Sequence, residues 1–274
     1  MSDWTIDELM CICISNQVRD GDVLIQGLAT PLVAAGYLLA WHTHAPNATF
    51  ASAIGQTLCQ EGAPLGLSQA ESLWLNKALS SFGFIQAAAD MLPTVKPKEF
   101  FRPGQVDSMG NFNNISIGKN YLKPRLRLPG SGGIPDVSTY LEGIYLYVPR
   151  HSKVTFVEQI DIKSGLGNGP ERKRGVGPVY LVSNLGEFDF HDNRLRLISL
   201  HPNVSLEAVQ KKTGFAIELA KKMKVTSIPT HEELRLLREV IDPLGVRKLE
   251  FLSGHKRNAI IREILEREMQ QYYV

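Results

Sequence analysis

The chain has 274 residues, 43% of them hydrophobic and 21% charged, with a formal net charge of +2. That length can bury a full core, and the charge lacks the basic or acidic excess that would point to nucleic acid or a membrane surface. Cys11, Cys13 and Cys59 are too sparse for a disulfide framework or a zinc site.

Thr5-Ile6-Asp7-Glu8 reads as a capping box opening a helix that runs to about Arg19. The N-terminus lacks the basic and apolar regions of a signal peptide, so a cytoplasmic protein is expected. A short apolar strand follows over residues 22–26. Gly27-Leu28-Ala29-Thr30-Pro31 then turns the chain into a second helix, with Thr30 as N-cap and Pro31 at its first position. The apolar stretch from Pro31 to Trp41 is too short to span a bilayer. Another strand is expected from Ala48 to Ala53. Strand, glycine turn, helix, strand is the grammar of an α/β fold with an open, largely parallel sheet flanked by helices.

Ser68-Gln69-Ala70-Glu71 opens a helix through about Leu79, and a further helical piece is expected over residues 84–91. Residues 93–135 are rich in glycine, proline and asparagine and read as a long loop-rich crossing. Apolar runs at 144–148, 154–160, 179–183 and 195–200 predict strands. The last quarter reads as helical, with helices from Ser205 towards Gly214, from the capping box Thr230-His231-Glu232-Glu233 to Val240, and from Lys256 to Gln270. The body is expected over residues 1–250, with residues 251–274 as a C-terminal helical extension.

Several motifs carry possible chemistry. The Gly27–Pro31 turn places backbone amides at a helix N-terminus, which suits an anion, although a plain strand-to-helix turn is the commoner use. Gly130-Ser131-Gly132-Gly133 lets backbone N–H groups approach a ligand and form a concave nest. Gln105, Asp107, Asn111 and Asn113 crowd around Gly110, a pattern that shapes a rigid turn and, through it, a pocket. His42 and His44 lack a third metal ligand and suit a helix C-terminus instead. Arg172-Lys173-Arg174 reads as a solvated basic loop, and Cys59 as a small buried side chain. No metal site is expected.

The ordered set of Gly27–Pro31, His44-Ala45-Pro46-Asn47, residues 105–113, Leu128-Pro129-Gly130-Ser131-Gly132-Gly133, Val182-Ser183-Asn184-Leu185-Gly186-Glu187-Phe188, Ser199-Leu200-His201-Pro202 and Lys212-Thr213-Gly214-Phe215 resembles the β subunits of family I CoA-transferases, of the glutaconate CoA-transferase kind. The resemblance covers the chain up to about Pro243. It implies that a strand following the HAPN turn ends at the family's glutamate, the nucleophile that forms a glutamyl-CoA thioester. Here Ala53 stands at about that position, and an alanine methyl cannot attack. Ser52 is the nearest reactive-type side chain, but serine needs an adjacent base, and alternation along a strand turns it to the other face.

The resemblance further implies an acyl-CoA site. Gly130, Ser131, Gly132 and Gly133 would aim donors at a thioester oxygen, and Gly27, Thr30, Gln105 and Asn111 would shape the pocket. Coenzyme A would arrive within the substrate, with no other cofactor. The partner implied is an α-type CoA-transferase-like subunit in an α2β2 complex, with neither nucleic acid nor membrane as partner. Family-like hydrolases that open the last steroid ring, and decarboxylases of 3-methylglutaconyl-CoA, have also lost this glutamate. The expected function is therefore hydrolytic carbon–carbon cleavage or decarboxylation of an acyl-CoA. The alternatives are a CoA-transferase with its nucleophile elsewhere and a non-catalytic scaffold subunit.

Overall fold

The computed structural model describes residues 3–27, 30–53, 55–141 and 143–272. They form two compact units, one from residues 1–84 with 228–274 and the other from residues 85–227.

In the first unit, strands β1 (Val23–Gln26), β2 (Thr49–Ser52), β3 (Thr57–Cys59) and β4 (Ser80–Ser81) lie side by side in that order. β1 and β2 run parallel, and β3 and β4 add antiparallel neighbours. The helix Ile6–Ser15 opens with the predicted capping box at Thr5 and Glu8, and ends sooner than the sequence suggests. The helix Pro31–Thr43 is buried continuously from Leu32 to Ala40. Its sequence is apolar all round, as a helix enclosed on every side must be. The two helices cross closely at Gly36, where a Cβ would stand 2.6 Å from Ile14 Cγ2 and 3.0 Å from the Cys11 carbonyl.

An ion cluster knits this unit to its C-terminal segment. Arg247, 1% exposed, donates to Asp7 at 2.9 Å, Asp242 at 2.8 Å and Glu8 at 3.1 Å. Burying a guanidinium is tolerable only with its N–H groups paired in this way. The C-terminal helix, Gly254–Tyr272, buries Ile264 and Glu268. Glu268 accepts from the backbone amides of Leu67 and Ser68, so the extension is fastened to the unit's own loop.

In the second unit the strands are β5 (Lys98–Phe101), β6 (Gln105–Val106), β7 (Phe112–Asn113), β8 (Ser116–Ile117), β9 (Leu126–Arg127), β10 (Ile144–Val148), β11 (Pro178–Ser183), β12 (Gly186–His191), β13 (Arg194–Leu200) and β14 (Glu218–Val225). The main sheet here runs β14-β13-β12-β11-β10-β5. Its β5–β10–β11 part is parallel, β11–β12–β13 is an antiparallel meander, and β14 returns parallel to β13. The expected α/β class is therefore present, with the parallel strands joined by antiparallel ones. One face carries a core of Phe101, Ile144, Leu146, Leu181, Phe188 and Leu197. β6 pairs with β7 and β8 with β9, so the loop-rich crossing is organised as two small ribbons.

Two expectations fail here for local reasons. Residues 154–160 are not a strand: Thr155 and Phe156 fold back onto Ser152, and Phe156 makes only an isolated bridge to Val106. Phe156 is buried as a plug stacked on His151, with ring centroids 3.6 Å apart, while Val154 is exposed. The last quarter is also not wholly helical, because β14 interrupts it. Its lysine-rich, largely exposed sequence lacks the apolar alternation that reveals a strand, as suits the edge of a sheet.

Candidate active site

In the first unit, the HAPN turn is a structural tie. His44 caps the helix Pro31–Thr43, and its Nε2 lies 3.2 Å from the Val18 carbonyl. Asn47 grips the Asp20 carboxylate twice, through its backbone and side-chain N–H groups, both at 2.8 Å. These bonds hold the start of β2 against the loop that precedes β1. The strand then ends at Ser52, and Ala53 follows it as an exposed residue whose amide donates to the Gln26 carbonyl at 2.9 Å. Ile54 lies outside the described residues.

Ser52 is 2% exposed, and its hydroxyl donates to Gln26 Oε1 at 3.2 Å. A carboxamide cannot take that proton as a base, so nothing in this arrangement activates Ser52 as a nucleophile. Cys59 is also withdrawn from chemistry. Its thiol is buried on β3 beside Thr57, and burial pushes its pKa up, away from the thiolate. Glu61 is exposed and paired with Lys77 at 2.5 Å.

Gly27 and Thr30 flank Leu28 and Ala29, which lie outside the described residues. Thr30 stands at the expected N-cap position, but its hydroxyl donates to the Gly27 carbonyl at 3.4 Å instead of accepting an amide. The amide of Leu32 in the first turn is taken by Glu250 at 2.9 Å. The helix N-terminus that reads from sequence as an anion site thus already carries a carboxylate of the same chain.

In the second unit, Gln105 and Asn111 are 4% exposed and face inward. Gln105 donates to Asp161 at 2.9 Å and accepts from Asn113 at 2.7 Å, while Asn111 donates to Asp107 at 2.9 Å and accepts from the Gly167 amide at 2.9 Å. Asp107 also accepts from the amides of Met109 and Asn111, closing a turn in which Gly110 takes φ +76°. With these groups mutually satisfied, Gln105 and Asn111 can shape a pocket only through the backbone they hold. Arg172 is a correction to the solvated basic loop. It folds inward and donates to the carbonyls of Gly167, Ser138, Arg174 and Leu166, leaving its guanidinium committed to the backbone.

The Gly130–Gly133 segment behaves differently. Gly130 and Gly132 have φ of +110° and +51°, and a Cβ on either would meet open space. The Gly130 amide donates to Asn114, and Gly133 precedes the helix Ile134–Tyr140. The amides of Ser131, Gly132 and Gly133 have no acceptor among the described residues. Successive uncommitted N–H groups at an open turn can bind an oxyanion or an anionic oxygen.

No family model matches the chain. It is 30% identical over 258 residues to a 3-oxoadipate CoA-transferase subunit of Pseudomonas knackmussii, covering 87% of this chain and 94% of that one. It is 31% identical over 257 residues to the cholesterol ring-cleaving hydrolase IpdB subunit of Mycobacterium tuberculosis, covering 90% of this chain and 98% of that one. Among solved structures, the decarboxylase AibA/AibB superposes with a TM-score of 0.79 at 29% identity, covering 90% of this chain and 98% of the matched chain. The chain belongs to the family I CoA-transferase β-subunit family.

Within this member of the family, the remaining sequence motifs form one buried knot that sequence reading did not foresee. The Thr213 hydroxyl donates to the Val209 carbonyl at 2.9 Å and so accepts from His151 Nε2 at 2.9 Å. His151 Nδ1 is then bare and accepts from the Ser183 hydroxyl at 3.0 Å. The Ser183 carbonyl in turn accepts from His201 Nε2 at 2.7 Å. Burial holds His151 neutral by lowering its pKa to about 3. Residues from three separate motifs thus meet as a scaffold, with no substrate-facing nucleophile among them. Among the described residues, no group of three or more His, Cys, Asp and Glu side chains is placed to hold a metal.

Proposed function

We propose that this chain is the β subunit of a heteromeric enzyme that cleaves a carbon–carbon bond of an acyl-CoA thioester, by hydrolysis or decarboxylation, without forming a glutamyl-CoA intermediate. One observation carries the reading: the position of the family's glutamate holds the exposed methyl of Ala53, while the neighbouring candidate nucleophiles Ser52 and Cys59 are buried and inactive as bonded. The open amides of Ser131, Gly132 and Gly133 suit a different task, stabilising charge on the thioester oxygen as the carbon–carbon bond breaks. The acid and base groups are assigned to an α-type partner in an α2β2 complex, in keeping with the paired names of the decarboxylase AibA/AibB.

Coenzyme A enters as part of the substrate, and the reading needs no resident cofactor. No helix among the described residues is long and apolar enough to cross a membrane, and all three cysteines are free. A reducing cytoplasm is the compartment that fits.

The test is co-expression with an α-type partner, followed by mass spectrometry of a panel of acyl-CoA thioesters incubated without any acceptor acid. Loss of carbon dioxide or gain of water by the acyl group supports the reading. Turnover only when a free carboxylic acid is added, with a CoA adduct trapped by borohydride, would assign the chain to transferase chemistry instead.

A further inference from the structure

Gln26 stands where the first two parallel strands end, beside the position of the family's glutamate. It is the last residue of β1, in parallel register with Ser52, the last residue of β2. Its side chain is 4% exposed, and its Oε1 accepts the Ser52 hydroxyl at 3.2 Å. Its Nε2 has no hydrogen-bond partner among the described residues. That nitrogen is not enclosed: among the described residues it is not a buried atom lacking a partner, so it stands accessible at the strand end rather than stranded in the core. Here one end is anchored and the other is left open.

The position is suggestive as well. Ligands of α/β sheets bind outside the carboxyl ends of parallel strands, and β1 and β2 end at Gln26 and Ser52. The register continues from Ser52 to Thr57 and from Thr57 to Ser81, giving a polar row across the strand ends. Two residues back the row is apolar: Leu24 stands opposite Phe50, and Phe50 opposite Cys59. The Gln26 carbonyl also receives the Ala53 amide, so one residue orients both the serine and the alanine at the strand end.

We propose that Gln26 is a substrate-binding residue whose Nε2 donates a hydrogen bond to an oxygen of the acyl part of the acyl-CoA, with Ser52 as the positioning residue that orients the carboxamide. This rests on the acyl-CoA reading above and deepens it. Ser52 locks Oε1, so the N–H end is the one presented, and a neutral donor complements a carbonyl or carboxylate oxygen without requiring a counter-charge.

The experiment uses the reconstituted complex and titrates acetyl-CoA, acetoacetyl-CoA, glutaryl-CoA and free CoA by calorimetry, for the wild type, Gln26→Leu and Ser52→Ala. In Gln26→Leu, affinity for the tightest acyl-CoA is expected to fall about 10- to 100-fold, with free CoA unchanged. In Ser52→Ala the fall is expected to be smaller, about 3- to 10-fold, since the donor survives but is no longer oriented. Acyl-CoA affinity within twofold of wild type in Gln26→Leu overturns the proposal, and so does an equal loss for acyl-CoA and free CoA. If Gln26→Leu fails to assemble, Ser52→Ala decides alone by the same comparison. Wild-type complex that binds no acyl-CoA better than CoA instead overturns the acyl-CoA reading itself.

Discussion

Replacing Glu268 by alanine should loosen the C-terminal helix. The carboxylate is 4% exposed, and it accepts from the Leu67 amide at 2.6 Å, the Ser68 amide at 2.9 Å and the Ser68 hydroxyl at 2.5 Å. Hydrogen bonds to a charged partner each contribute about 1.5–3 kcal/mol net, and a buried donor left unmade costs about 1–3 kcal/mol. Part of the sum is offset because the carboxylate no longer has to be desolvated, and because the loop can open to water. A net loss of about 3 kcal/mol is expected, or a fall in Tm of about 6–12 °C for a chain of this size. Urea unfolding of the purified complex measures the first, and limited trypsinolysis reports release of the helix through its exposed lysine and arginine residues. Glu268→Gln separates causes: it keeps the shape but turns one acceptor into a donor facing an N–H group. If hydrogen bonding is the cause, glutamine should be nearly as harmful as alanine. A loss below about 1 kcal/mol in Glu268→Ala, with unchanged proteolysis, would refute the reasoning.

Three further outcomes are expected. His151 is held neutral with a pKa lowered to about 3, so the unfolded chain binds more protons than the native one between that value and 6.5, and stability should fall as pH drops through this window. The linked loss by pH 5 is about 2 kcal/mol; unfolding curves at pH 7 and 5 should show it in the wild type and not in His151→Gln. Glu99, on β5, has its pKa raised to about 8 by desolvation, so here stability should fall as pH rises from 4.5 towards 8. Glu99→Gln should therefore gain on the wild type by about 4 kcal/mol between pH 5 and 9, read by the same assay. Arg247→Ala leaves Asp7 and Asp242 without their guanidinium and should cost about 3–5 kcal/mol, whereas the similar-sized Arg247→Met combined with Asp7→Leu and Asp242→Leu should recover much of that in thermal unfolding.

Much of this molecule was legible in its residues. The Thr5 capping box, the Pro31 helix start and the apolar runs of β10, β11 and β13 were local signals, and the local structure obeys them. The ordered motifs identified the family, and Ala53 in place of a carboxylate could be read from one letter. What only the tertiary structure decided is where each polar side chain spends its hydrogen bonds. Sequence could not tell that Arg172 is consumed by backbone carbonyls, that Glu250 occupies a helix N-terminus, or that His151, Ser183 and Thr213 close a buried knot. Such partners lie tens or hundreds of positions apart, and the cost of an unmade bond is set by burial, which no local pattern encodes. For the same reason Gln26, a single unremarked letter after an apolar strand, became a candidate only when its partnered oxygen and open nitrogen were seen together.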